Sequence, residues 1–556
     1  MHAYTNPVYL YRKSADEAGV PKRRPVVVVG AGPVGLAAAI DLGQRGIPVV
    51  VLDDDNTVSV GSRAICYAKR ALEIFDRLGC AERIVQKGVG WNVGRVFFKD
   101  EPVYQFDLLP EPGHRRPAFV NLQQYYLEEY LVERANALPA VEIRWQNRVV
   151  GLVPHGDGVE LKVATPDGEY RLESDWLIAA DGARSPVRTM MGLESEGQMF
   201  RDRFLIADIR MTSEFPTERW FWFDPPFHPN QSVLLHRQAD DVWRVDFQLG
   251  WDADPELEKK PERILPRLKA MLGDKAEFEI EWASVYTFQC RRMQRFRHGR
   301  VLFVGDAAHL VSPFGARGAN SGVQDADNLV WKLELVMNGL APERLLDSYD
   351  VERVAAADEN ILNSTRATDF ITPKSAVSRT FRDAVLALAK RHPFARRLVN
   401  SGRLSVPRIH SESPLSTPDR PGEAFAGSMV PGAPAADAPV TGPGAEWFLD
   451  FLHHGFTLLT FGDVARPEEI AALAHDRIAC RVLQIGGRNE DGRRVLADDA
   501  GLAAERYDGK PGTCYLFRPD QIVCARWRSF DPIAVRAAIR RATTRDDPAR
   551  DDSARN

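Results

Sequence analysis

Apolar and polar residues follow two different patterns along this chain: uniformly apolar runs near its start, and alternation in its middle. The segment RPVVVVGAGPVGLAAAIDLGQRGIPVVVLDDD predicts a strand, a tight turn, a helix and a second strand, because both valine-rich runs are short, β-branched and uniformly apolar. Strands of this kind belong to a parallel sheet that is buried on both faces. A third such strand, GRVLFVGD, and a long helix, ANSGVQDADNLVWKLELVMNGL, follow much later in the chain.

The middle of the chain has a different pattern. Aromatic and polar residues alternate in RWFWF and in SVLLHRQADDVWRVDFQLGW, which is typical of a half-buried antiparallel sheet. The simplest arrangement is an interrupted α/β nucleotide-binding domain, formed by residues 24–90, 118–195 and 290–400. The inserted sheet domain then comprises residues 91–117 and 196–289.

The ends of the chain have other compositions. Residues 1–23 form an N-terminal arm, and residues 401–444 are rich in proline, which predicts a linker or a wrapping segment. Residues 445–540 alternate short strands and helical stretches and predict a small α/β domain. Residues 541–556 are charged, lack apolar anchors and are predicted to be disordered. A chain of 556 residues also exceeds what one core supports.

Composition excludes several classes of function. The formal net charge of −5 gives no basic face for nucleic acid. No segment reaches the roughly 20 apolar residues of a membrane helix, and the arm lacks the apolar core of a signal peptide. The six cysteines form no C-x-x-C pair and no ligand-spaced cluster with histidine, so we predict buried thiols, a cytoplasmic location and no metal site.

The first candidate site is the glycine motif between the opening strand and helix. Gly30 permits the tight turn, Gly32 lets a pyrophosphate approach the backbone, and Gly35 lets helix and strand pack closely. Pro33 and Val34 complete the motif at the helix N-terminus, where the helix dipole faces the phosphates. Acidic residues end the second strand about twenty residues later and predict a ribose contact: Asp53 is favoured because it directly follows the apolar run, with Asp54 and Asp55 as alternatives.

The second candidate site lies around the third buried strand. Asp306 follows that strand, at the edge where open α/β sheets bind ligands, and its carboxylate suits a polyol such as a ribityl chain. A glycine-rich loop then leads into the long helix, whose free N–H groups and positive dipole end face whatever covers the loop. The predicted contacts in this loop are Pro313, Gly315, Ala316, Arg317, Gly318, Ala319 and Asn320.

A third stretch, DWLIAADGARSPVR, is ambiguous by itself. A buried strand runs into Asp181 and Gly182, followed by Arg184. An ordinary acidic turn that caps a helix explains this stretch as well as a ligand site does.

In this order and spacing, the three stretches resemble those of the class A flavoprotein monooxygenases, the FAD-dependent aromatic hydroxylases, over about residues 24–400. VYTFQCR ahead of GRVLFVGDAAH is similar to the phenylpropionate and phenol hydroxylase branch. The resemblance implies the p-hydroxybenzoate hydroxylase type of fold, FAD as cofactor, and an Asp-Gly motif that serves both FAD and the nicotinamide coenzyme. It also implies flavin contacts from Arg63 and Gln124, and a C-terminal thioredoxin-like domain without C-x-x-C.

The resemblance implies a reaction as well. NADH or NADPH reduces FAD, the reduced flavin reacts with O₂, and a C4a-hydroperoxide transfers oxygen to a small aromatic, phenolic substrate. The helix dipole near Asn320 would stabilise the anionic reduced flavin, and Arg317 would add positive charge there. A homodimer is compatible with this organisation. A different FAD-dependent oxidoreductase of the same fold, or a non-catalytic flavin-binding protein, remains an alternative.

Substrate contacts are open at this stage. The inserted sheet supplies a set of polar and aromatic candidates: Arg219, Trp220, Trp222, His236, Arg237, Trp243, Arg244 and Gln248. Tyr286 and Arg291 come from the stretch that resembles the family. Phenol hydroxylases of this superfamily carry an acidic residue where this chain reads RAICYAKRALE around Ile65, so His236, Tyr286 or water takes the role of general base, or the substrate is activated otherwise.

Overall fold

The computed structural model describes residues 4–19, 22–61, 63–213, 215–399, 404–487 and 494–545. The first three residues of the proline-rich segment and the predicted disordered tail from residue 546 onward lie outside this range. Within it, no helix is both long and apolar enough to cross a bilayer.

The described strands, in chain order, are β1 (Arg23–Val29), β2 (Val49–Leu52), β3 (Cys66–Ala68), β4 (Val89–Trp91), β5 (Val93–Phe98), β6 (Glu101–Asp107), β7 (Phe119–Asn121), β8 (Val141–Arg144), β9 (Arg148–Pro154), β10 (Val159–Thr165), β11 (Gly168–Ala179), β12 (Glu196–Arg210), β13 (Arg219–Phe223), β14 (Ser232–Arg237), β15 (Val242–Leu249), β16 (Glu279–Arg292), β17 (Arg297–His298), β18 (Val301–Phe303), β19 (His309–Leu310), β20 (Pro439–Gly442), β21 (Ala445–Trp447), β22 (Phe456–Phe461), β23 (Cys480–Ile485), β24 (Arg494–Leu496), β25 (Cys514–Phe517) and β26 (Val523–Trp527).

The described α-helices are α1 (Pro33–Gln44), α2 (Lys69–Leu78), α3 (Ala81–Lys87), α4 (Gln124–Asn136), α5 (Pro186–Met190), α6 (Pro255–Glu258), α7 (Pro261–Leu272), α8 (Gly318–Met337), α9 (Asp347–Ile371), α10 (Ala376–Ala389), α11 (Pro393–Val399), α12 (Pro467–Ala474), α13 (Leu502–Arg506) and α14 (Pro532–Ala542). Short 3₁₀ turns lie at Ala15–Ala18, Gly305–Ala307, Glu343–Leu346 and Phe448–Phe451.

The first sheet is a mostly parallel sheet in the order β17-β18-β11-β1-β2-β8, extended by the hairpin β9-β10. Strands β18, β11, β1, β2 and β8 run parallel. The valines of β1 and β2 that the sequence assigns to buried strands are fully or nearly fully buried. The register pairs Val29 of β1 with both Leu52 and Ala179, so the carboxyl ends of three neighbouring strands meet at one edge.

The second sheet has the order β19-β16-β12-β15-β14-β13-β5-β6 and is antiparallel except for the parallel pair β5 and β13. The expectation that it would be half-buried is wrong for the central strands β13, β14 and β15, whose residues are almost all buried on both faces, whereas the outer strands β6 and β16 keep exposed residues. One face packs against Ile264 and Leu268 of α7, whereas the other faces the first domain through Phe204, Phe288 and Phe314. At these strands both faces are covered, and some polar residues between the two faces are paired, such as Arg244 with Asp208.

The C-terminal part contains a sheet in the order β24-β23-β22-β25-β26. Strands β22 and β23 are parallel, and β25 and β26 return antiparallel beside β22. The proline-rich segment lies against β26, where the N–H of Thr417 donates to the carbonyl of Cys524 and that of Gly432 donates to Val523.

A buried cluster of charges joins the C-terminal sheet to the helices of the first domain. The carboxylate of Glu352 on α9 accepts from Lys332 of α8 and from Arg518, at 2.8 and 2.5 Å, and Arg518 also donates to Asp520. Ser413 of the proline-rich segment donates to the same carboxylate. Although burial opposes ionisation, Arg518 and Lys332 hold the pKa of Glu352 well below its ordinary value.

The N-terminal arm packs on the first domain. Tyr4 stacks on Tyr125 with 4.1 Å between ring centroids, and Tyr9 stacks on Trp145 at 4.4 Å. The N–H of Tyr9 donates to the carbonyl of Asn56, in the loop that follows β2. The arm therefore holds one side of that loop.

Candidate active site

The three glycines between β1 and α1 have different surroundings. Gly30 has a φ of +106°, and a Cβ atom on it would lie 2.5 Å from the carbonyl oxygen of Ala180. A Cβ on Gly35 would overlap with the carbonyl oxygen of Gly30. A Cβ on Gly32, by contrast, would meet no atom within 4 Å. Gly30 and Gly35 are therefore needed for packing, whereas Gly32 presents open backbone at the N-terminus of α1, where an anion is stabilised.

Asp53 directly follows β2 and points back to this turn. Its Oδ2 accepts from the N–H of Ala31 at 2.6 Å, and its Oδ1 accepts from Asp55 at 2.9 Å. Burial raises the pKa of the Asp53 carboxyl. Asp54 and Asp55 are exposed, so Asp53 is the acid of the three that lies at the turn.

Asp306 lies in the 3₁₀ turn after β18 and is exposed at the same sheet edge. The surrounding protein raises the pKa of its carboxyl, whereas His309 and Arg63 act in the opposite direction. The charge of Arg63 thus acts on Asp306, although the two residues are far apart in sequence.

The turn that carries Asp306 is held from beneath by Asp325 of α8. Its Oδ2 accepts from the N–H of Gly305 at 3.0 Å and contacts Nε2 of His309 at 2.6 Å, and its Oδ1 accepts from Nε of Arg353. Burial alone would raise the pKa of Asp325, but His309 and Arg353 hold it below its ordinary value. Sequence reasoning missed this residue; its signal is a carboxylate on the buried face of a long helix.

The loop from Pro313 to Arg317 has an unusual backbone. Gly315 has a φ of +110° and Ala316 a φ of +51°, a conformation that non-glycine residues adopt infrequently. The side chain of Arg317 is buried, and its Nη1 donates to the carbonyl of Phe314 at 2.9 Å. The guanidinium therefore binds the backbone of its own loop, just before α8 begins at Gly318.

Asn320, in the first turn of α8, ties the loop to β3. Its Oδ1 accepts from the N–H of Ala68, and its Nδ2 donates to the carbonyls of Cys66 and Ala316. These contacts use both ends of the amide. The neighbouring Ala319 and Gly318 are partly exposed, and their N–H groups lie at the positive end of the helix.

The Asp-Gly stretch lies at the end of β11, beside β1. Asp181 Oδ2 accepts from the N–H of Val187 and so caps α5, while its Oδ1 is buried and has no hydrogen-bond partner within the described part of the chain. Gly182 has a φ of +76°, and Arg184 is exposed. Arg188 reaches across to the carbonyl of Ala307, next to Asp306.

Arg63 lies in the loop between β2 and β3, and Gln124 is the first residue of α4. Gln124 Oε1 accepts from the N–H of Ala64 at 2.9 Å, and its Nε2 donates to Glu128. The side chain of Arg63 is exposed, and its carbonyl accepts from Arg244 of the second sheet. Gln124 thus fixes the segment next to Arg63.

Strand register divides the substrate candidates between the two faces of the second sheet. The face toward Phe314 carries Arg219, His236, Arg244, Gln248 and Tyr286. The opposite face, toward α7, carries Trp220, Trp222, Arg237 and Trp243. Arg291 donates to the carbonyl of Ser195, away from these groups.

Tyr286 and His236 have different environments on the first face. Tyr286 is 44% exposed, lies 5.5 Å from Phe288 between ring centroids, and has a pKa raised by its surroundings and by Asp306. His236 is 2% exposed, and burial lowers its pKa to about 4. Its Nδ1 lies 3.7 Å from the thiol of Cys66, and its Nε2 lies 3.8 Å from Oδ2 of Asp246.

Cys66 and Asp246 are two further residues of this group that the sequence did not reveal. All six cysteines are free and buried, as expected, but the Cys66 thiol also contacts polar side chains. The Asp246 position is two residues after Arg244 on β15, so strand alternation places it on the same face.

The comparisons with known proteins agree with this arrangement. The model of the family described as "FAD binding domain" matches residues 23–364. The chain belongs to this family. The class A flavoprotein monooxygenases, the FAD-dependent aromatic hydroxylases, include its relatives, and the protein is a flavin-dependent monooxygenase that binds FAD.

Two relatives illustrate the range of the family. A 6-methylpretetramide 4-monooxygenase from Streptomyces rimosus is 31% identical over 527 residues, which cover 90% of each chain. A 3-(3-hydroxy-phenyl)propionate/3-hydroxycinnamic acid hydroxylase from Mycolicibacterium smegmatis is 29% identical over 394 residues, which cover 69% of this chain and 68% of that one.

Solved structures show the same fold. The flavin-dependent monooxygenase PieE, determined with FAD and substrate, has a TM-score of 0.80 and 23% identity, covering 95% of this chain and all of the other. The anhydrotetracycline hydroxylase OxyS from Streptomyces rimosus has a TM-score of 0.70 and 26% identity, covering 94% and 99%.

The residues of this FAD-dependent hydroxylase fit its cofactor. Open backbone at Gly32, the carboxylate of Asp53 at the turn, the unpartnered Oδ1 of Asp181 and the exposed carboxylate of Asp306 all lie at one sheet edge. They supply an anion site and hydroxyl acceptors, which are the groups that a dinucleotide with a polyol chain requires.

Proposed function

We propose that this protein uses NADH or NADPH and O₂ to hydroxylate a small aromatic, phenolic compound. The observation that carries the proposal is the contact at Phe314 between the loop before α8 and the second sheet. The ring of Phe314 lies 4.8 Å from Phe204 and 5.1 Å from Phe288, so the loop before α8 faces the polar and aromatic side of the second sheet. A planar substrate bound beside these rings would contact both the loop and the sheet.

The relatives support the choice of reaction. Their names describe hydroxylation of 3-(3-hydroxyphenyl)propionate in one case and monooxygenation of 6-methylpretetramide in the other. The two substrates differ greatly in size, so we transfer to this chain only the aromatic class. NAD(P)H as reductant and the route of oxygen transfer remain predictions.

Several residues would hold FAD. Gly32 and the N-terminus of α1 would receive the pyrophosphate, Asp53 the adenosine ribose, and Asp306 the ribityl chain. The loop N–H groups between Gly315 and Asn320, with Arg63 and Gln124, would surround the ring system. When bound, FAD supplies the acceptance of hydride and the activation of O₂.

The chain itself supplies the apolar wall and the proton acceptor. The rings of Phe204, Phe288 and Phe314 form an apolar cluster beside the loop and would exclude water from a substrate bound there. The raised pKa of Tyr286 keeps its hydroxyl protonated at neutral pH, so Tyr286 can donate a hydrogen bond but cannot accept the substrate proton. His236 is neutral at that pH, and its buried Nε2 has no hydrogen-bond partner among the described residues, so we propose His236 as the general base. Burial, which lowers its pKa, makes it a weaker base than a free histidine.

Asp246 would assist His236 in this role. Its carboxylate lies 3.8 Å from Nε2 of His236 and would stabilise the imidazolium that forms when the ring takes a proton. Arg317, in contrast, acts in this proposal mainly through the shape of the loop, because its guanidinium binds the Phe314 carbonyl.

Three further features belong to the proposal. The β22-α12-β23 unit followed by the hairpin β25-β26 and α14 supports a thioredoxin-like domain, in which the buried cysteines have no redox partner. The domain boundaries given above, a homodimer and a cytoplasmic location are also proposed.

The test is coupled oxidation of NAD(P)H by the FAD-loaded protein in the presence of hydroxylated benzoates, phenylpropionates and larger fused-ring phenols. We expect one class to accelerate NAD(P)H consumption and to yield a product heavier by one oxygen atom, labelled from ¹⁸O₂. A reductase of the same fold would consume NAD(P)H without incorporating label. A non-catalytic flavoprotein would do neither.

A further inference from the structure

Arg219 is a buried cation without a charged partner. It is 4% exposed at the start of β13, and no carboxylate oxygen of the described residues lies within 4 Å of its guanidinium. Its Nε has no hydrogen-bond partner, and its Nη1 has only a weak contact of 3.8 Å with the thiol of Cys66. A thiol is a poor acceptor, so the positive charge is not compensated.

Arg244, on the same face of the sheet, is a structural arginine with a carboxylate partner and serves as a comparison. Arg244 donates through Nε and Nη2 to both oxygens of Asp208, each at 2.8 Å. That fork geometry is the usual way in which a buried guanidinium is satisfied. Arg219 lacks such a partner, although it is equally buried.

Other polar atoms around Arg219 are also unpartnered. His236 Nε2 and Asp246 Oδ1 are buried and have no hydrogen bond to any residue that the structure describes. His236 and Arg219 both reach the Cys66 thiol, so the three residues form one group on the face toward Phe314. Phe221 supplies an aromatic floor, with its ring centroid 5.2 Å from the Arg219 guanidinium carbon.

A buried charge without a partner is costly, and a native protein retains such a group where something binds it. Asp246 lies on the His236 side of the group, which leaves Arg219 for an anion that enters from outside the chain. Resting on the function proposed above, we propose that Arg219 binds an ionised oxygen of the aromatic substrate, either a carboxylate or a phenolate. The protein therefore selects anionic aromatic compounds over their neutral analogues.

The first test measures binding to the oxidised FAD-loaded protein and requires no turnover. The probes are 3-(3-hydroxyphenyl)propionate, its methyl ester and 3-phenylpropionate, followed by the change in flavin absorbance. In the Arg219→Gln variant we expect the Kd of at least one anionic probe to rise about 10- to 100-fold, the range of a hydrogen bond to a charged group.

The three probes distinguish the two sources of the anion. If Arg219 binds the carboxylate, the variant weakens both acids and leaves the methyl ester unchanged. If it binds the phenolate, the variant weakens the ester and the hydroxylated acid, more strongly as the pH rises through the pKa of the bound phenol, and leaves 3-phenylpropionate unchanged. Equal weakening of all probes at every pH, or no binding of any anionic probe by the wild type, would overturn the proposal.

The second test needs no ligand. Because Arg219 has no charged partner, Arg219→Met should leave the melting temperature of the FAD-loaded protein unchanged or raise it. A structural arginine would give the opposite result, and a fall of several degrees would overturn the proposal. Arg237→Gln is the matched control, since Arg237 lies on the opposite face and pairs with Asp241; it should not change probe affinity. Loss of hydroxylation with retained anion binding would count against the proposed function alone.

Discussion

The guanidinium of Arg317 lies where a side chain on Gly315 would have to be. A Cβ atom on Gly315 would overlap with Nη1 of Arg317, and the φ of +110° at Gly315 is itself unfavourable for other residues. The two residues are thus one unit: glycine leaves the space, and arginine fills it and binds the carbonyl of Phe314.

This pair leads to the first prediction. Gly315→Ala should displace Arg317, distort the loop and weaken FAD binding at least tenfold, whereas Arg317→Ala should be milder because the backbone strain is unchanged. The double variant should be less damaging than the sum of the two, with a coupling of about 0.5–3 kcal/mol. FAD titration of the apoprotein by fluorescence measures all three. Strict additivity would show that the two residues act separately.

Asp306 should contribute directly to FAD affinity. Asp306→Ala removes the proposed acceptor for the ribityl hydroxyls and should raise the Kd for FAD by roughly 10- to 100-fold, the range of a hydrogen bond to a charged group. Asp54→Ala is the control, because Asp54 is an exposed acid near the same edge and should have little effect. Equal affinities of the two variants would remove Asp306 from the site.

Asp325 should matter for stability as well as for the cofactor. Asp325→Asn leaves Arg353 without its buried partner and should lower the free energy of unfolding by about 3–5 kcal/mol. It should also weaken FAD binding, because the Gly305 turn loses its support. Asp358→Asn, which removes an exposed ion pair with Arg292, should cost less than about 1 kcal/mol. Denaturant unfolding of the apoproteins compares them.

Stability should depend on the protonation of His236. Its pKa in the folded protein is about 4, below the ordinary value of 6.5, so the unfolded chain binds more protons between these values. Unfolding free energy should therefore fall as the pH drops from about 6.5 to 4, by up to about 3 kcal/mol from this group.

The variant His236→Gln should lose its share of this pH dependence and also its hydroxylation activity. His410, whose pKa burial likewise lowers to about 4, provides the comparison: His410→Gln should flatten the stability profile and keep activity. A His236→Gln protein with full activity would contradict the assignment of His236 as general base.

The sequence revealed the parts of the site that depend on local pattern. Gly30, Asp53, Asp181 and Asp306 each follow a recognisable buried strand, and parallel strands bring their carboxyl ends to one edge without further information. The sequence did not reveal Asp325, because its contact with Gly305 depends on how α8 packs against the sheet.

The group formed by Arg219, His236 and Cys66 could not be predicted from the sequence for a different reason. Strand alternation could have separated Arg219 and His236 from the tryptophans between them, since their side chains lie on opposite faces. Because one face of the sheet was expected to face solvent, sorting the residues by face did not point to a buried polar group. Cys66 is separated from Arg219 by 153 positions, and no periodicity predicts which strand lies against another domain.

The buried cluster around Glu352 restricts how this protein could be recombined with its relatives. Lys332, Glu352, Ser413, Arg518 and Asp520 come from three segments of the chain, yet each satisfies a charge or hydroxyl of another. A chimera with its crossover in the proline-rich segment would take half of these charges from each parent. Blocks exchanged in directed evolution should therefore carry all three segments from one parent, even when only the second sheet is to be changed.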